Sequence, residues 1–282
     1  MKLFNKLLIP TLLLSSVAVA QTGDNFSRSS AALKELKAKA TISETKSDSD
    51  KLFYLVDDFS QLKTVPGFTF GAPSGLVPGW GVGFAALSGV HKDSDTDGAA
   101  AFGFGFGDPF ESLGGAASLS IGSIDPSDGG AFNRGSLNLS LGHTFKDYGM
   151  GIAAGISNID IWHDTNEDKM DESYYLSATK LFPNNVAPMI LTFGFGNEAF
   201  VDINTDNDRD SKIDPFISGA VYVHPQMSLI LDYTTGITTF GTSLVPFPDY
   251  PVSIGLALTD IFTEADEDEV GFIGTIAMGF TF

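Results

Sequence analysis

Cysteine is absent from this chain of 282 residues, which excludes disulfides and thiolate metal sites. An exported scaffold without such staples needs another source of stability. Lysine and arginine are scarce, 16 against 35 acidic residues, and charged residues make up 18% of the chain, less than an ordinary soluble domain carries. No segment beyond the N-terminus is a long apolar run, so the sequence offers no transmembrane helix. The shortage of positive charge is uneven. Residues 21–64 hold seven basic and seven acidic residues, whereas residues 65–282 hold seven basic and 28 acidic ones, a net of −21. A surface of that sign repels nucleic acid, excluding it as a partner, and attracts divalent cations.

What is abundant is glycine (31) and phenylalanine (24). The N-terminus has three parts. Met1 to Lys6 carries two lysines and no acid, Leu7 to Val17 is apolar, and Ala18-Val19-Ala20 is a small-x-small cleavage site before Gln21. That is the pattern of a secretory signal peptide over residues 1–20. Its apolar run is far short of the roughly 20 residues that cross a bilayer as a helix.

Residues 21–66 read as a separate N-terminal segment, either a periplasmic tail or a plug. Ala31 to Ala40 has helix-forming composition, and Lys51 to Lys63 suits a short helix or an extended lead-in. The remainder, 67–282, changes character from Gly79 onward into stretches of about ten residues with period-two alternation. Leu137, Leu139, Leu141, His143 and Phe145 share one face of such a stretch, and Ser136, Asn138, Ser140, Gly142 and Thr144 the other. Phe102, Phe104 and Phe106 alternate with glycines, and Val270, Phe272, Ile276, Met278, Phe280 and Phe282 share a face at the end. An apolar row toward lipid and a small polar row toward a lumen is the arrangement of a transmembrane barrel.

Strands are expected at 79–91, 99–107, 115–124, 136–145, 149–161, 173–181, 188–197, 215–223, 227–234, 237–245, 252–262 and 270–282. The expected fold class is therefore all-β, an antiparallel up-and-down transmembrane β-barrel of about 12 strands, within a range of 10–14 because Gly67 to Ala72 could add pairing. Long acidic connections (92–98, 125–134, 163–172, 198–214, 263–269) alternate with short ones, so the acidic loops face outward and both chain ends face the periplasm.

The last eight residues, Thr275-Ile276-Ala277-Met278-Gly279-Phe280-Thr281-Phe282, resemble the terminal signal of bacterial outer-membrane β-barrel proteins, with Ala277 where that family prefers glycine. The Gly- and aromatic-rich segments before it resemble porin-like proteins at the level of pattern. The resemblance implies location in the cell outer membrane, contact with its lipids, and recognition by the barrel assembly machinery through the strand ending at Phe282. Oligomerisation stays open.

Three outer loops carry oxygen ligands at every second residue: Asp93, Asp95 and Asp97; Asp164, Asn166 and Asp168; Asp206, Asp208 and Asp210. This spacing suits a hard cation, but the distal glutamate of an EF-hand is missing, since Phe104, Tyr175 and Ile217 occupy the twelfth positions. The expectation is loose Ca²⁺ or Mg²⁺ binding with no required cofactor. Asp160, Asp232 and Asp260 fall near the outer ends of strands and could form an acidic pore rim, which would favour cations. No ladder of lysine or arginine marks an anion constriction. Trp80, Trp162, Tyr148, Tyr174, Tyr175 and Tyr233 fall near strand ends and suit interfacial girdles. No Gly-x-Ser-x-Gly elbow or convincing Ser–His pair exists, so no enzyme is expected. Two readings remain: a porin-like, cation-preferring passage for small solutes, and a non-conducting surface barrel with cation-binding loops. N-terminal sequencing of protein recovered from membranes should begin at Gln21; a start at Met1 would contradict the signal-peptide reading.

Overall fold

A segment that alternates Phe, Leu or Met with Gly, Ser or Thr can bury neither row against water alone. Its backbone also needs partners on both sides once it lies in lipid. Closure into a ring meets both needs. The structure is a computed structural model that describes residues 54–92, 95–122, 132–164, 171–184, 187–204, 212–263 and 269–282. These form twelve strands: β1 (Val82–Lys92), β2 (Asp95–Gly107), β3 (Gly114–Gly122), β4 (Arg134–Phe145), β5 (Met150–His163) and β6 (Ser173–Phe182), then β7 (Met189–Gly196), β8 (Asp214–His224), β9 (Met227–Thr234), β10 (Ile237–Leu244), β11 (Val252–Thr259) and β12 (Gly271–Thr281). Each pairs antiparallel with the next, and β12 returns to β1 from Val82↔Thr281 to His91↔Phe272, so the sheet has no edge.

The outward row is the apolar one. Phe102, Leu141, Leu176, Leu231 and Ile276 are all more than half exposed, as lipid-facing positions must be when counted without lipid. The leucine row of β4 points outward, and the inward row of the same strand (Ser136, Asn138, Thr144) is buried. Trp80, Tyr148, Tyr174, Trp162 and Tyr233 are exposed near strand ends. Tyr175 departs from the expected girdle: it is inward, buried, and stacks edge-on against Phe200 at 5.7 Å. Its neighbour Tyr174 takes the outward place, because successive residues of a strand face opposite ways.

Two other expectations change, and a third resolves between its alternatives. β1 and β2 pair as far as Lys92↔Asp95, so Asp95 and Asp97 belong to a strand and only residues 93–94 separate the two. Residues 67–72 add no strand; they run inside the ring. Of the stretch 51–63, the described part is extended apart from one 3-10 turn at Phe59–Gln61, capped by the Asp58 side chain.

The β4–β5 ladder is irregular at two places, between Gly135 and Ser136 and between Leu137 and Leu139. β5 supplies the extra residue each time, Ile161 in one case and one of Ser157–Asn158 in the other. Asn158 takes a left-handed φ of 61°, which asparagine tolerates better than most side chains. Ser157 and Asn158 are consequently both buried inward. Leu139 lies near the middle of β4 on the lipid face, so Leu139→Arg should destabilise the barrel in lipid vesicles by about 2–4 kcal/mol. Denaturant midpoints check this; an unchanged midpoint would contradict the lipid-facing assignment.

Candidate functional site

The lumen is occupied by the chain itself. Residues 64–78 (TVPGFTFGAPSGLVP) are buried without interruption. Their three prolines and three glycines suit neither helix nor ladder. An irregular backbone enclosed this way must find partners among side chains, and the inward rows supply them. Tyr222 donates its hydroxyl to Pro66 O at 3.1 Å, and Ser228 donates to Gly67 O. Gly67 N–H donates to Ser243 Oγ at 2.8 Å, and Ser218 donates to Phe68 O at 3.2 Å. On the return, Ser177 donates to Pro73 O at 2.6 Å and Gly75 N–H donates to Thr179 Oγ1 at 2.8 Å.

The path follows from where these partners sit. Tyr222 is two residues from the short-turn end of β8, Ser218 is mid-strand, and Asp232 is two residues from the opposite end of β9. The segment thus climbs toward the long loops, turns at Gly71–Ala72, and descends past β6 to β1. At the apex, Asp232 Oδ2 accepts N–H bonds from Phe70, Gly71 and Ala72 at 3.1, 3.2 and 3.2 Å. Thr234 donates to its other oxygen at 2.7 Å. Three successive amides converging on one carboxylate make an anion nest.

Side chains of the segment also pack. Val65, Phe68, Phe70 and Leu76 join inward residues such as Leu181, Ile190, Ile230 and Ile273 in one apolar cluster. On the descent Gly75 lies against Gly151: a Cβ added there would meet Gly151 O at 2.5 Å and Thr179 N at 2.6 Å. Below, Val56 N–H donates to Gln226 Oε1 at 2.9 Å and Lys63 N–H to Pro248 O at 3.0 Å, fastening the entering chain across two short turns.

The three aspartates expected at a pore rim occupy three different environments. Asp232 is buried under the apex of the segment. Asp260 is fully buried and accepts a 2.8 Å ion-pair bond from Lys92 Nζ, itself buried. Asp160 Oδ2 is bonded to His163 Nδ1 at 3.0 Å, while its Oδ1 has no partner among the described residues. The three carboxylates therefore have different partners and are not equivalent; among the described residues only Asp232 meets the lumenal segment. Of the expected cation ligands, Asp93, Asn166, Asp168, Asp206, Asp208 and Asp210, with the side chain of Asp95, lie outside the described residues. Asp97 is buried; Gly98 N–H donates to its Oδ1 at 2.7 Å, and its Oδ2 is 3.9 Å from Arg134 Nη2. Asp164 is exposed, its N–H donating to Asn133 O at 2.8 Å. Among the described residues no group of three acids or histidines is arranged to hold a metal ion.

The opposite wall of the lumen is different. Between the descending segment and β3–β4 a cavity remains, lined by Ser74, Ser118, Asn138, Ser140 and Tyr175 among others. From it a polar strip continues toward the long loops. Asn138 Nδ2 donates to Ser120 Oγ at 2.8 Å, and its Oδ1 accepts Asn158 N–H at 3.1 Å. Beyond these, Arg134 Nε and Nη1, Ser136 Oγ, Asn158 Oδ1 and Asp160 Oδ1 are buried with no partner among the described residues. Each such atom costs about 1–3 kcal/mol if left dry. Sequence reasoning missed Lys92 and Arg134 as lumenal cations. The signal was present, since Arg134 shares the parity of Ser136 and Asn138.

No family model and no curated relative matches the sequence. Solved structures similar to it include outer membrane protein Omp33 of Acinetobacter baumannii, at 11% identity and a TM-score of 0.42 over 71% of this chain and 97% of that one. The COG4313 outer membrane channel of Pseudomonas putida F1 aligns at 13% identity and a TM-score of 0.47 over 73% and 97%. Outer membrane phospholipase A of Escherichia coli aligns at 10% and 0.43 over 70% and 92%. These likenesses lie in the fold. By its own topology and outward apolar face, the chain is a closed twelve-stranded β-barrel of the bacterial outer-membrane type.

Proposed function

We propose that the protein is an outer-membrane channel for small solutes, closed at rest by residues 64–78 and mildly cation-preferring. The observation that carries this is the asymmetry of the lumen. One wall, β6 to β10, grips the segment through dispersed hydrogen bonds. The other, β3 to β5, keeps a cavity and, beyond it, a strip of buried polar atoms that have no partner among the described residues. A purely structural barrel would gain from filling that strip with apolar side chains. Side-chain hydrogen bonds of roughly 1 kcal/mol each hold the segment without welding it in place.

Cation preference is supported by the strong acidity of residues 65–282 and by Asp97 of β2 and Asp160 of β5, which flank Arg134 of β4. Export by the N-terminal signal, assembly through the strand ending at Phe282, and loose binding of divalent cations by the acidic loops belong to the same reading. It requires no catalytic residue and no cofactor.

Bilayer recording of the full chain in a KCl gradient tests it. Wild-type protein should give rare, small steps. Asp232→Ala, which removes the acceptor of three apex amides, should raise open probability several-fold, with a reversal potential on the cation side. Gly75→Val, which cannot seat against Gly151, should act in the same direction. Barrels that are folded by heat-modifiable gel mobility yet equally silent in all three forms would establish the sealed structural barrel instead.

A further inference from the structure

The strip on β4–β5 concentrates five of the seven buried side-chain atoms that have no hydrogen-bond partner among the described residues. They come from four neighbouring residues. Arg134 and Ser136 are two apart on one face of β4, and Ser136 is the registered partner of Asp160. Asn158 reaches the lumen only because β5 bulges, at a φ of 61°. The second bulge falls on the other side of Asp160, between Asp160 and Trp162. A strand that spends two irregularities and one left-handed residue around a single aspartate is aiming side chains, as bulges beside functional sites do.

The chemistry of the unpartnered atoms is ordered along the barrel. Nearest the long loops are donors, the Arg134 guanidinium N–H groups and then the Ser136 hydroxyl. Level with Ser136, its registered partner, is the acceptor Asp160 Oδ1, and deeper lies the acceptor Asn158 Oδ1. Arg134 and Ser136 are spaced by two residues of antiparallel strand, about 6.8 Å. That order matches one kind of small molecule, a carboxylate at one end and an ammonium group at the other. A simple anion would meet the Asp160 carboxylate, and a simple cation would meet Arg134. Either leaves half of the strip unsatisfied.

We propose that the β4–β5 strip is a binding site for a small zwitterion of the amino-acid type. Its carboxylate accepts from Arg134 and Ser136, and its ammonium group donates to Asp160 and Asn158. His163, bonded to the other oxygen of Asp160 at 3.0 Å, is a positioning residue that leaves Oδ1 without a partner among the described residues. The carboxylate faces outward and the ammonium group inward. This goes beyond the channel reading, since it states what the lumen binds and holds whether or not the barrel conducts.

Calorimetry of the full chain in detergent micelles tests it without reference to conduction. Glycine at neutral pH should give a saturable heat. Acetate, methylammonium and glucose should bind at least about tenfold more weakly. Arg134→Gln and Asp160→Asn should each weaken glycine by about tenfold or more. Should either fail to fold, Ser136→Ala and Asn158→Gly carry the test, because glycine keeps the left-handed bulge while removing the amide. Absence of saturable glycine binding overturns the proposal. So does acetate or glucose binding as well as glycine, or undiminished binding by the folded variants.

Discussion

Every backbone amide carried into a cylinder surrounded by lipid has to find a partner inside it. The twelve strands meet that condition by pairing in a ring. Residues 64–78 cannot, because their prolines and glycines keep them out of any ladder. The inward rows of the barrel are written around this difficulty. Tyr222, Ser218, Ser228, Ser243, Ser177 and Thr179 stand where the irregular segment exposes a carbonyl or an N–H. Asp232 collects the three amides at the turn. A small polar inward row was therefore a necessary companion of the segment, as much as a lining for water.

This is also why the fold was legible in the sequence and the site only partly so. Period-two rows such as Leu137-Leu139-Leu141 report lipid directly, and β9 at 227–234 was bounded correctly from its rows and turns. The parity of those rows reports which face a side chain takes but not what lies opposite. Asp232, Asp260 and Asp160 look alike as residues before a turn. They differ because one meets an N–H nest, one a buried lysine and one a histidine. The inward isoleucines 190, 230, 237 and 273 were the overlooked sign. A water-filled lumen gives such residues no reason to face in, whereas Phe68 and Phe70 do. The bulges of β5 leave no mark in the alternation that a reader could separate from a strand end.

The two walls divide the labour. Ring order places β9, which holds the apex, five strands from β4. The segment leans on β6 to β10 and leaves β3 to β5 with a cavity and a strip of unpartnered polar atoms. Arg134 of β4 lies 3.9 Å from Asp97 of β2. Lys92 of β1 and Asp260, just past β11, are closely paired at 2.8 Å.

The central claim is that residues 64–78 sit inside the barrel with their backbone bonded to its wall. Hydrogen–deuterium exchange of the protein in lipid nanodiscs reads this directly. The account predicts that the amides of Gly67, Phe70, Gly71, Ala72 and Gly75 are protected to an extent approaching those of mid-strand residues. Exchange of these five at the rate of a free peptide, with the strands still protected, would contradict it.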